Sequence, residues 1–570
     1  MMKRYFPALA WLPHYQARLF GADLLAGAIV TVMVIPQSLA YALLAGLPAV
    51  VGLYASILPQ LVYTFFGTSR TLAVGPVAII ALMTGAALSQ VATPGSAAYL
   101  EAALVLSLLS GAVLVVMGAL RMGFFSNFLS HPVISGFLTA SGILIAASQL
   151  GGLLGIASNG FTLWERLSTL WQNLPDIDPL TLAMSASVLS FLVWVRRYGK
   201  TSLKRLGLPA AAADLLARTG PILAVVATTL ATWLWQLQTH GVAVVGTVPA
   251  GLPPVGLPWP DASLWQTLFV PALLISLVGF VESVSMGQML AAKRRQRISP
   301  SQELIGLGMA NLAAGVSGAM PVTGGLSRTV ANYHAGAKTP AAGAFAALGI
   351  GVVTFTLTDW LYYLPIATLA AFITVSILTL VDIATLRATW RYSRSDFTAQ
   401  AVTIVLTLGE GIEAGIIGGL VVSIALFLYR TSRPHSALIG RVPATEHFRN
   451  VARHEVETAS HVALLRIDES LYFANARYLE DTLYNLVASR PALEDVVIVC
   501  SAVNLIDASA LESLEAINAR LKDSGVTLHL AEVKGPVMDR LNKSSFPQQL
   551  TGRVFLSTYA AWQALRRSTD

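Results

Sequence analysis

The sequence predicts an α-helical membrane protein of about fourteen spanning helices, followed by a small soluble α/β domain. The first observation is composition: 55% of the 570 residues are hydrophobic, only 12% are charged, and the mean hydropathy is +0.65. A soluble domain carries about 25% charged residues, so most of this chain must face lipid. The second observation is a change near Thr431–Pro434, where Gly-rich apolar runs give way to charged residues and short β-like runs.

The placement of basic residues predicts the topology of the membrane part. Lys and Arg are confined to a few short segments, and the turns between these segments lack them, Arg166 being the exception. Because basic residues accumulate on the cytoplasmic side of a membrane, this alternation predicts an even number of spans with both termini in the cytoplasm. About fourteen spans fit, and twelve fit almost as well because several apolar runs are short. The Pro-rich stretch 241–261 is expected to be an external loop.

Two segments broken by Gly and Pro stand at corresponding places in the two halves of the membrane part. One is Thr71–Ala78, which contains Gly75–Pro76, and the other is Pro321–Arg328, which contains Gly324–Gly325. Paired interruptions of this kind point to a transport site at the middle of the bilayer. Each break would start a half-helix, and the exposed N–H groups of two opposed half-helices form a site for an anion. The alternative is that these residues only allow close helix packing.

Polar side chains accompany the first break. A helix predicted over Asp23–Tyr41 is interrupted at Ile35–Gln37. Gln37 and Tyr41 lie one helical turn apart on one face, and with Ser327 they would donate hydrogen bonds to the oxygen atoms of a tetrahedral anion. Alternatively, they satisfy backbone groups that the interruption frees.

Two charged residues fall inside apolar segments of the second half. Glu282 lies in the helix predicted over Pro271–Leu290, and Arg328 follows the second break. Burying either charge costs about 2.5–3.5 kcal/mol, so such residues are paired or functional. In one alternative they simply neutralise each other. In the other, Arg328 supplies positive charge for the anion while Glu282 carries a proton, and a bound dianion would favour the protonated carboxyl.

Four separated motifs, in the same order, resemble those of the sulfate permease (SulP) family, to which the animal anion exchangers belong. They are Val34–Ala42, Gly52–Ala55, Phe128–Phe137 and Gly324–Thr339. The resemblance implies a seven-plus-seven inverted repeat with core and gate domains, elevator-like movement, a homodimer, and an anion site between the third and tenth helices. The substrate-binding residues expected on this basis are Gln37, Tyr41, Val77, Ala78, Gly325, Ser327 and Arg328, and Glu282 is the acidic, proton-coupling position on the eighth helix.

Within that family, two positions bear on the coupling ion and the substrate. By this resemblance, Met286 stands where the sodium-coupled bicarbonate members have a hydroxyl residue. Its absence favours a proton as the coupling ion. Val77 and Ala78 stand where many sulfate carriers have a hydroxyl residue. The resemblance therefore implies proton-coupled sulfate uptake by a secondary active transporter. Transport of a dicarboxylate or bicarbonate, or an uncoupled exchanger or channel of the same fold, is the alternative.

The C-terminal part alternates strands and helices, and its turn Val503–Leu511 resembles the STAS signature. We expect a membrane domain over residues 1–433, a linker over 434–451 and a cytoplasmic STAS domain over 452–570. In soluble relatives the serine at the position of Ser509 is phosphorylated, which would make it a regulatory site. Alternatively, Asp507 or Ser509 only caps the following helix. Cys500, the single cysteine, excludes an internal disulfide framework.

The motifs argue against an enzyme. His-Glu-x-x-His is absent from the sequence, and Gly336–Thr339 lacks the preceding glycine pattern of a phosphate loop. We expect no cofactor, no metal site and no nucleic-acid partner. The expected partners are an inorganic anion, a proton, the lipid of the cell (inner) membrane and cytoplasmic proteins that contact the STAS domain. Nucleobase and ascorbate carriers share the fold in related families, but they lack the STAS domain and the Ser327–Arg328 pair.

Overall fold

The computed structural model describes residues 5–127, 130–158, 160, 162–205, 207, 209–258, 261–356 and 358–567. The chain forms two compact units, Met1–Val422 and Ser423–Asp570, which we call the helical unit and the C-terminal unit. Phe128 and Leu129, from the third motif, lie outside the described residues.

Helices make up nearly all of the regular structure up to Ser432. In chain order the elements are α1 (Ala8–Trp11), α2 (Ala17–Leu44), α3 (Ala49–Tyr54), α4 (Leu58–Phe66), β1 (Val74–Gly75), α5 (Ala78–Leu88), α6 (Ala97–Ala119), α7 (His131–Leu154), α8 (Leu163–Gln172), α9 (Pro179–Trp194), α10 (Lys200–Arg205), α11 (Ala210–Trp235), α12 (Ala262–Lys293), α13 (Pro300–Val316), β2 (Thr323–Gly324), α14 (Leu326–His334), α15 (Ala341–Thr356), α16 (Thr358–Leu361), α17 (Ile366–Ile377), α18 (Ile383–Tyr392), α19 (Arg394–Gly409) and α20 (Ile412–Ser432). Short 3-10 or π turns lie at Leu12–His14, Met122–Asn127, Leu174–Asp176, Val195–Gly199, Leu237–His240 and Leu378–Leu380.

Many of these helices have the length and composition of membrane spans. Among the described residues, seven are long and apolar enough to cross a bilayer: Ala17–Leu44, Ala49–Phe66, Ala97–Ala119, His131–Leu154, Pro179–Arg205, Ala262–Lys293 and Ile412–Ser432. Four shorter apolar helices, at Ala78–Leu88, Gly220–Trp235, Ala341–Thr356 and Ile366–Ile377, join them. Together with α13, α14 and α19, these elements make the fourteen successive segments that the sequence predicts.

The helix predicted over Asp23–Tyr41 is continuous, and the expected interruption at Ile35–Gln37 is wrong. Helix α2 passes through Pro36 and extends to Leu44. Proline removes one N–H donor but does not have to end a membrane helix, because neighbouring helices can satisfy the carbonyl that it frees. Of the two interruptions expected around the site in the first half, the one at Gly75–Pro76 is present.

The two halves of the helical unit pack against each other through equivalent pairs of helices. Helix α6 of the first half packs along α12, and in the same way α15 of the second half packs along α2. Elsewhere α7 packs against α19, and α17 packs against α9. We call α2–α6 with α12–α15 the core helices, and α7–α11 with α17–α20 the gate helices. The fold is that of a seven-plus-seven inverted repeat, as the sequence predicts.

The C-terminal unit holds a six-stranded sheet covered by helices on both faces. Its elements are β3 (Ser436–Arg441), β4 (Phe448–Asn450), β5 (Val462–Ile467), α21 (Ala476–Ser489), β6 (Asp495–Val499), α22 (Ala508–Asp523), β7 (Thr527–Ala531), α23 (Gly535–Leu541), α24 (Phe546–Gln549), β8 (Val554–Phe555) and α25 (Thr558–Leu565). The strand order is β4-β3-β5-β6-β7-β8, with β5 to β8 parallel and β3 antiparallel to both of its neighbours. Separate clusters of buried apolar residues fill the two faces of the sheet.

The segment 434–451, expected to be a linker, contributes two strands to this sheet. Strand β3 pairs with β5 over Ser436–Ile439, and β4 pairs with β3. The buried side chains of Ala437 and Ile439 pack against the same face as Val462. Since a one-sided antiparallel strand needs only a short apolar alternation, composition alone does not separate it from a linker.

Candidate functional site

The two broken segments meet in a short antiparallel pair. Val74 of β1 lies opposite Gly324 of β2, and Gly75 lies opposite Thr323. All four residues are buried. The backbone N–H and C=O groups that the helix breaks free are thus partly satisfied by the other half of the molecule, which a lipid-facing segment could not achieve.

A half-helix starts directly after each strand of the pair. Helix α5 begins at Ala78 after Val77, and α14 begins at Leu326 after Gly325. Neither preceding residue offers a side-chain cap to the first turn, so the N–H groups there are left to other partners. Each helix start carries about half a positive charge. Together they make a place that favours an anion.

Two amide side chains, one from each half, form hydrogen bonds with the backbone at or just before the two strands. Gln60 on α4 accepts a hydrogen bond from the backbone N–H of Val74. Asn311 on α13 accepts one from the N–H of Val322 at 2.9 Å and donates one to its carbonyl at 2.9 Å. Because α4 ends the second span of the first half and α13 is the second span of the second half, an amide side chain at an equivalent place positions each break.

The second half-helix also holds the first broken segment directly. Thr329 accepts a hydrogen bond from the N–H of Ala73 at 3.2 Å, and Asn332 donates one to the carbonyl of Thr71 at 2.9 Å. Both side chains are buried. The break of the first half and the half-helix of the second half therefore form one hydrogen-bonded unit.

Arg328 is buried at the junction of the two breaks, with 1% of its surface exposed. Its Nη2 donates to the carbonyl oxygen of Pro76 at 2.7 Å, whereas its Nη1 is buried without a hydrogen-bond partner. The guanidinium fits because the residues on both sides are glycine. A Cβ on Gly75 would lie 2.5 Å from Nη1, and one on Gly325 would lie 2.6 Å from Nε.

Gln37, Tyr41 and Ser327 stand around the same point. Nε2 of Gln37 donates to Oγ of Ser327 at 3.3 Å, while its Oε1 is buried and has no partner. Tyr41 is buried one helical turn further along α2, and Ser327 is exposed. Because α2 is unbroken, satisfying backbone groups at an interruption is not what these side chains do.

Glu282 and Arg328 form no ion pair between the atoms that the structure describes. Oε2 of Glu282 is buried and has no hydrogen-bond partner. The next residue, Ser283, is engaged elsewhere, since its Oγ accepts from the N–H of Gly324 at 2.9 Å and lies 2.7 Å from Oγ1 of Thr323. The two side chains therefore lie in one cavity without a direct ion pair.

All eight of the substrate and proton positions expected from the sequence line one cavity. Including its mouth, the cavity has a volume of about 490 Å³. About 60 Å³ of it can be reached by the centre of a water-sized sphere. A single water needs roughly 10–15 Å³ by this measure, so the space suits a few waters or one small anion. Its lining includes Gln37, Tyr41, Val77, Ala78, Glu282, Gly325, Ser327 and Arg328.

The sequence did not point to the far wall of this cavity. Ser376, Ile377 and Leu380, from the end of α17 and the turn after it, face the half-helix starts. They lie in a mostly apolar run in which no Gly, Pro or charged residue marks a site. The cavity therefore lies where core and gate helices meet.

Ser509 lies in the C-terminal unit, at the start of α22. The cap of this helix is Asp507, whose Oδ1 accepts from the N–H of Ala510 at 2.9 Å and whose Oδ2 accepts from the N–H of Phe473 at 2.9 Å. Ser509 itself is exposed on the first turn. The capping role belongs to Asp507, and the hydroxyl of Ser509 is open to modification.

No group of three or more His, Cys, Asp or Glu residues with the arrangement of a metal site occurs in the described ranges. The helix starts and one guanidinium are the positive features of the cavity.

The sequence matches the Sulfate permease family over residues 20–403 and the STAS domain over residues 453–561. It is 34% identical to "Sulfate transporter 4.1, chloroplastic" of Arabidopsis thaliana over 539 residues, 92% of this chain and 77% of that protein. It is 30% identical to a probable sulfate transporter of Mycobacterium tuberculosis over 565 residues, 98% of each chain. These relatives are transporters, not enzymes.

Solved structures of anion transporters share the fold. The structure of murine Slc26a9 in the inward-facing state superposes with a TM-score of 0.89 at 24% sequence identity and covers 98% of this chain and 94% of that one. The transmembrane domain of the cyanobacterial bicarbonate transporter BicA gives 0.59 at 20% identity, covering 72% of this chain and 98% of that domain. At these identities the likeness concerns the fold alone.

Proposed function

This chain belongs to the sulfate permease family of multi-pass anion transporters, and from that premise we propose that it takes up sulfate together with protons as a secondary active transporter. The observation that carries the proposal is the cavity beside the β1–β2 pair. There two uncapped helix starts and the free Nη1 of Arg328 face a carboxyl group, Glu282, that has no partner.

The charges of the cavity suit a doubly charged oxyanion. The helix starts and Arg328 are fixed positive features, and Gln37 and Ser327 offer polar atoms to the oxygen atoms of the anion. Because Val77 and Ala78 bring no hydroxyl, their backbone N–H groups take the place of a side-chain donor on that side. Sulfate is favoured because relatives that match 92% and 98% of this chain bear that substrate in their names.

Glu282 is the residue that would couple the proton. An anion beside an ionised carboxylate is repelled, so the anion binds best when Glu282 is protonated, and the two ligands reinforce each other. Met286 points to a proton rather than sodium, because it lines a neighbouring apolar groove and not the anion cavity. A dicarboxylate or bicarbonate substrate, and uncoupled exchange or a channel, are the alternatives that transport assays separate.

Transport would follow from movement of the core helices against the gate helices. The cavity has walls from both groups, so an elevator-like shift of the core helices would carry Arg328 and the anion past Leu380. We place the protein in the cell membrane with both termini in the cytoplasm, as a homodimer, on the basis of the family and the basic segments.

Uptake by the purified chain in liposomes tests the proposal. Labelled sulfate should accumulate above its external concentration when the vesicle lumen is alkaline, and a sodium gradient should have no effect. Unlabelled bicarbonate and dicarboxylates, added as competitors, show which anion the cavity prefers. Accumulation driven by sodium alone, or sulfate movement that never exceeds equilibrium, would contradict proton symport.

We also propose that Ser509 is a regulatory phosphorylation site. It is exposed on the first turn of α22, where the helix dipole favours a phosphate.

A further inference from the structure

An apolar groove adjoins the anion cavity. Including its mouth and the solvent space there, it has a volume of about 840 Å³. One wall is α7, through Phe137 and its neighbours, and the other is the middle of α12, through Val278 and Met286. Among the described residues of its lining, Ser285 and Glu282 are the polar ones, and Ser285 and Met289 are exposed.

The groove and the anion cavity share three residues. Glu282, Leu326 and Leu380 line both. The two spaces therefore adjoin at these side chains, with the positive helix starts and Arg328 on one side and the apolar groove on the other. A carboxylate or sulfate held by Arg328 would have the groove directly beside it.

We propose that the two spaces form one bipartite site for amphipathic anions, molecules with an oxyanion head and a single alkyl chain. The head occupies the anion cavity and the chain lies in the groove between α7 and α12. This inference rests on the proposed anion site. The shared lining of the two spaces, with positive charge on one side and an apolar groove on the other, selects this class over a neutral lipid or a cation.

The chain would make such a ligand an inhibitor rather than a substrate. The groove lies between a gate helix, α7, and a core helix, α12, which have to move against each other in the proposed transport cycle. An alkyl chain wedged there holds them apart, while a small inorganic anion leaves the groove empty.

The apolar walls fix how affinity depends on chain length. Each methylene buried in an apolar site contributes about 0.8 kcal/mol, which is about fourfold in the dissociation constant. In an n-alkyl sulfate series from ethyl to octyl, the dissociation constant should therefore fall by about this factor per added methylene until the groove is full.

Binding of labelled ethyl, butyl, hexyl and octyl sulfate to the full chain in nanodiscs tests the inference, with empty nanodiscs as background. Inorganic sulfate should displace every member of the series, and n-alkyl trimethylammonium ions of equal chain length should not. Displacement without dependence on chain length would refute the groove and leave the anion site standing. Dependence on chain length without displacement would refute the anion site, and the absence of both would refute both.

Substitutions in the groove make the test specific. Met286→Trp fills the middle of the groove and should flatten the dependence on chain length, while ethyl sulfate binds within about twofold of wild type because its tail is short. Met289→Trp, at the exposed edge, is the second variant if Met286→Trp does not fold. Val421→Trp, on an exposed apolar part of α20, is the matched control and should change nothing. An unchanged dependence in both groove variants would overturn the proposal.

Discussion

Arg328 donates a hydrogen bond of 2.7 Å to the carbonyl oxygen of Pro76, joining the half-helix of one repeat to the break of the other. The same guanidinium leaves Nη1 without a partner. Leaving a charged donor unsatisfied in a buried site costs a few kcal/mol, so the arrangement is expected where a ligand completes it. Gly75 and Gly325 clear the space for the side chain.

Arg328→Lys should weaken anion binding while keeping the charge. Lysine cannot hold the Pro76 carbonyl and aim a second nitrogen at the ligand in a fixed plane. A hydrogen bond to a charged group contributes about 1.5–3 kcal/mol, so the KM for sulfate should rise about tenfold or more. Liposome uptake measures it, and Arg387→Lys, at an exposed position on α18, is the control. An unchanged KM in Arg328→Lys would show that the guanidinium does not contact the anion.

Glu282→Gln should abolish the dependence of uptake on the pH gradient. The amide is isosteric with the protonated carboxyl, so downhill sulfate exchange should continue while uphill accumulation disappears. Glu413→Gln is the matched control, because Glu413 is a half-buried carboxyl on α20 that lines neither cavity. Accumulation by Glu282→Gln equal to that of wild type would rule out the coupling role.

The sequence predicts which residues form the site better than it predicts how distant segments meet to form it. Gly and Pro within apolar runs, with polar residues nearby, identify both breaks, and all the expected residues line one cavity. The pairing of Val74 with Gly324 is a contact between residues far apart in the chain, and no local pattern encodes it. The same holds for Ser376 and Leu380, which lie in a mostly apolar run without Gly, Pro or charge yet complete the cavity wall.

Local patterns also failed where tertiary contacts overrode them. Pro36 suggested a helix break, but surrounding helices allow α2 to continue through it. Strands β3 and β4 resembled a linker because both are short and β4 has no fully buried residue. By contrast, the alternation of strands and helices predicted for the C-terminal part includes α21 (Ala476–Ser489), because apolar residues at helical spacing fill its inner face.

Gly52→Ala should destabilise the helical unit, although it adds a single methyl group. A Cβ on Gly52 would lie 1.8 Å from the carbonyl oxygen of Ser38, and backbone cannot swing away as a side chain would. Forced separation of packed elements costs typically about 1–3 kcal/mol, so the temperature of thermal unfolding in detergent should fall. The control is Gly21→Ala in α2, where an added Cβ meets nothing within 4 Å, so this variant should be neutral or stabilising. Equal unfolding temperatures for the two variants would contradict the close approach.

Cys500 should resist thiol reagents until the C-terminal unit unfolds. Burial, with a smaller contribution from the charge of Glu532, raises the pKa of the Cys500 thiol to about 12. Because this pKa lies far above pH 8, only ~10⁻⁴ of the thiol is present as the reactive thiolate at that pH. Maleimide labelling of the native chain should be slow at pH 8 and should become fast in denaturant. Ser509→Cys, which places a thiol on the exposed turn, is the control. Native labelling of Cys500 as fast as that of the introduced thiol would show that the sheet opens readily.

Ser509→Asp should change the rate of sulfate uptake, and Ser509→Ala should not. A negative charge on the first turn of α22 is stabilised by the helix dipole, as a phosphate would be, so the substitution mimics the modification. The low end of usual coupling energies is about fivefold in an equilibrium, and the effect on rate should be of that order. Ser524→Asp is the control, because it adds the same charge at the opposite end of α22, where the helix dipole disfavours it. Comparing the two variants shows whether the position of the charge or the net charge of the unit changes uptake. If Ser509→Asp and Ser509→Ala both transport like wild type, the exposed hydroxyl is not a switch, and the only role left to this turn is the cap that Asp507 provides.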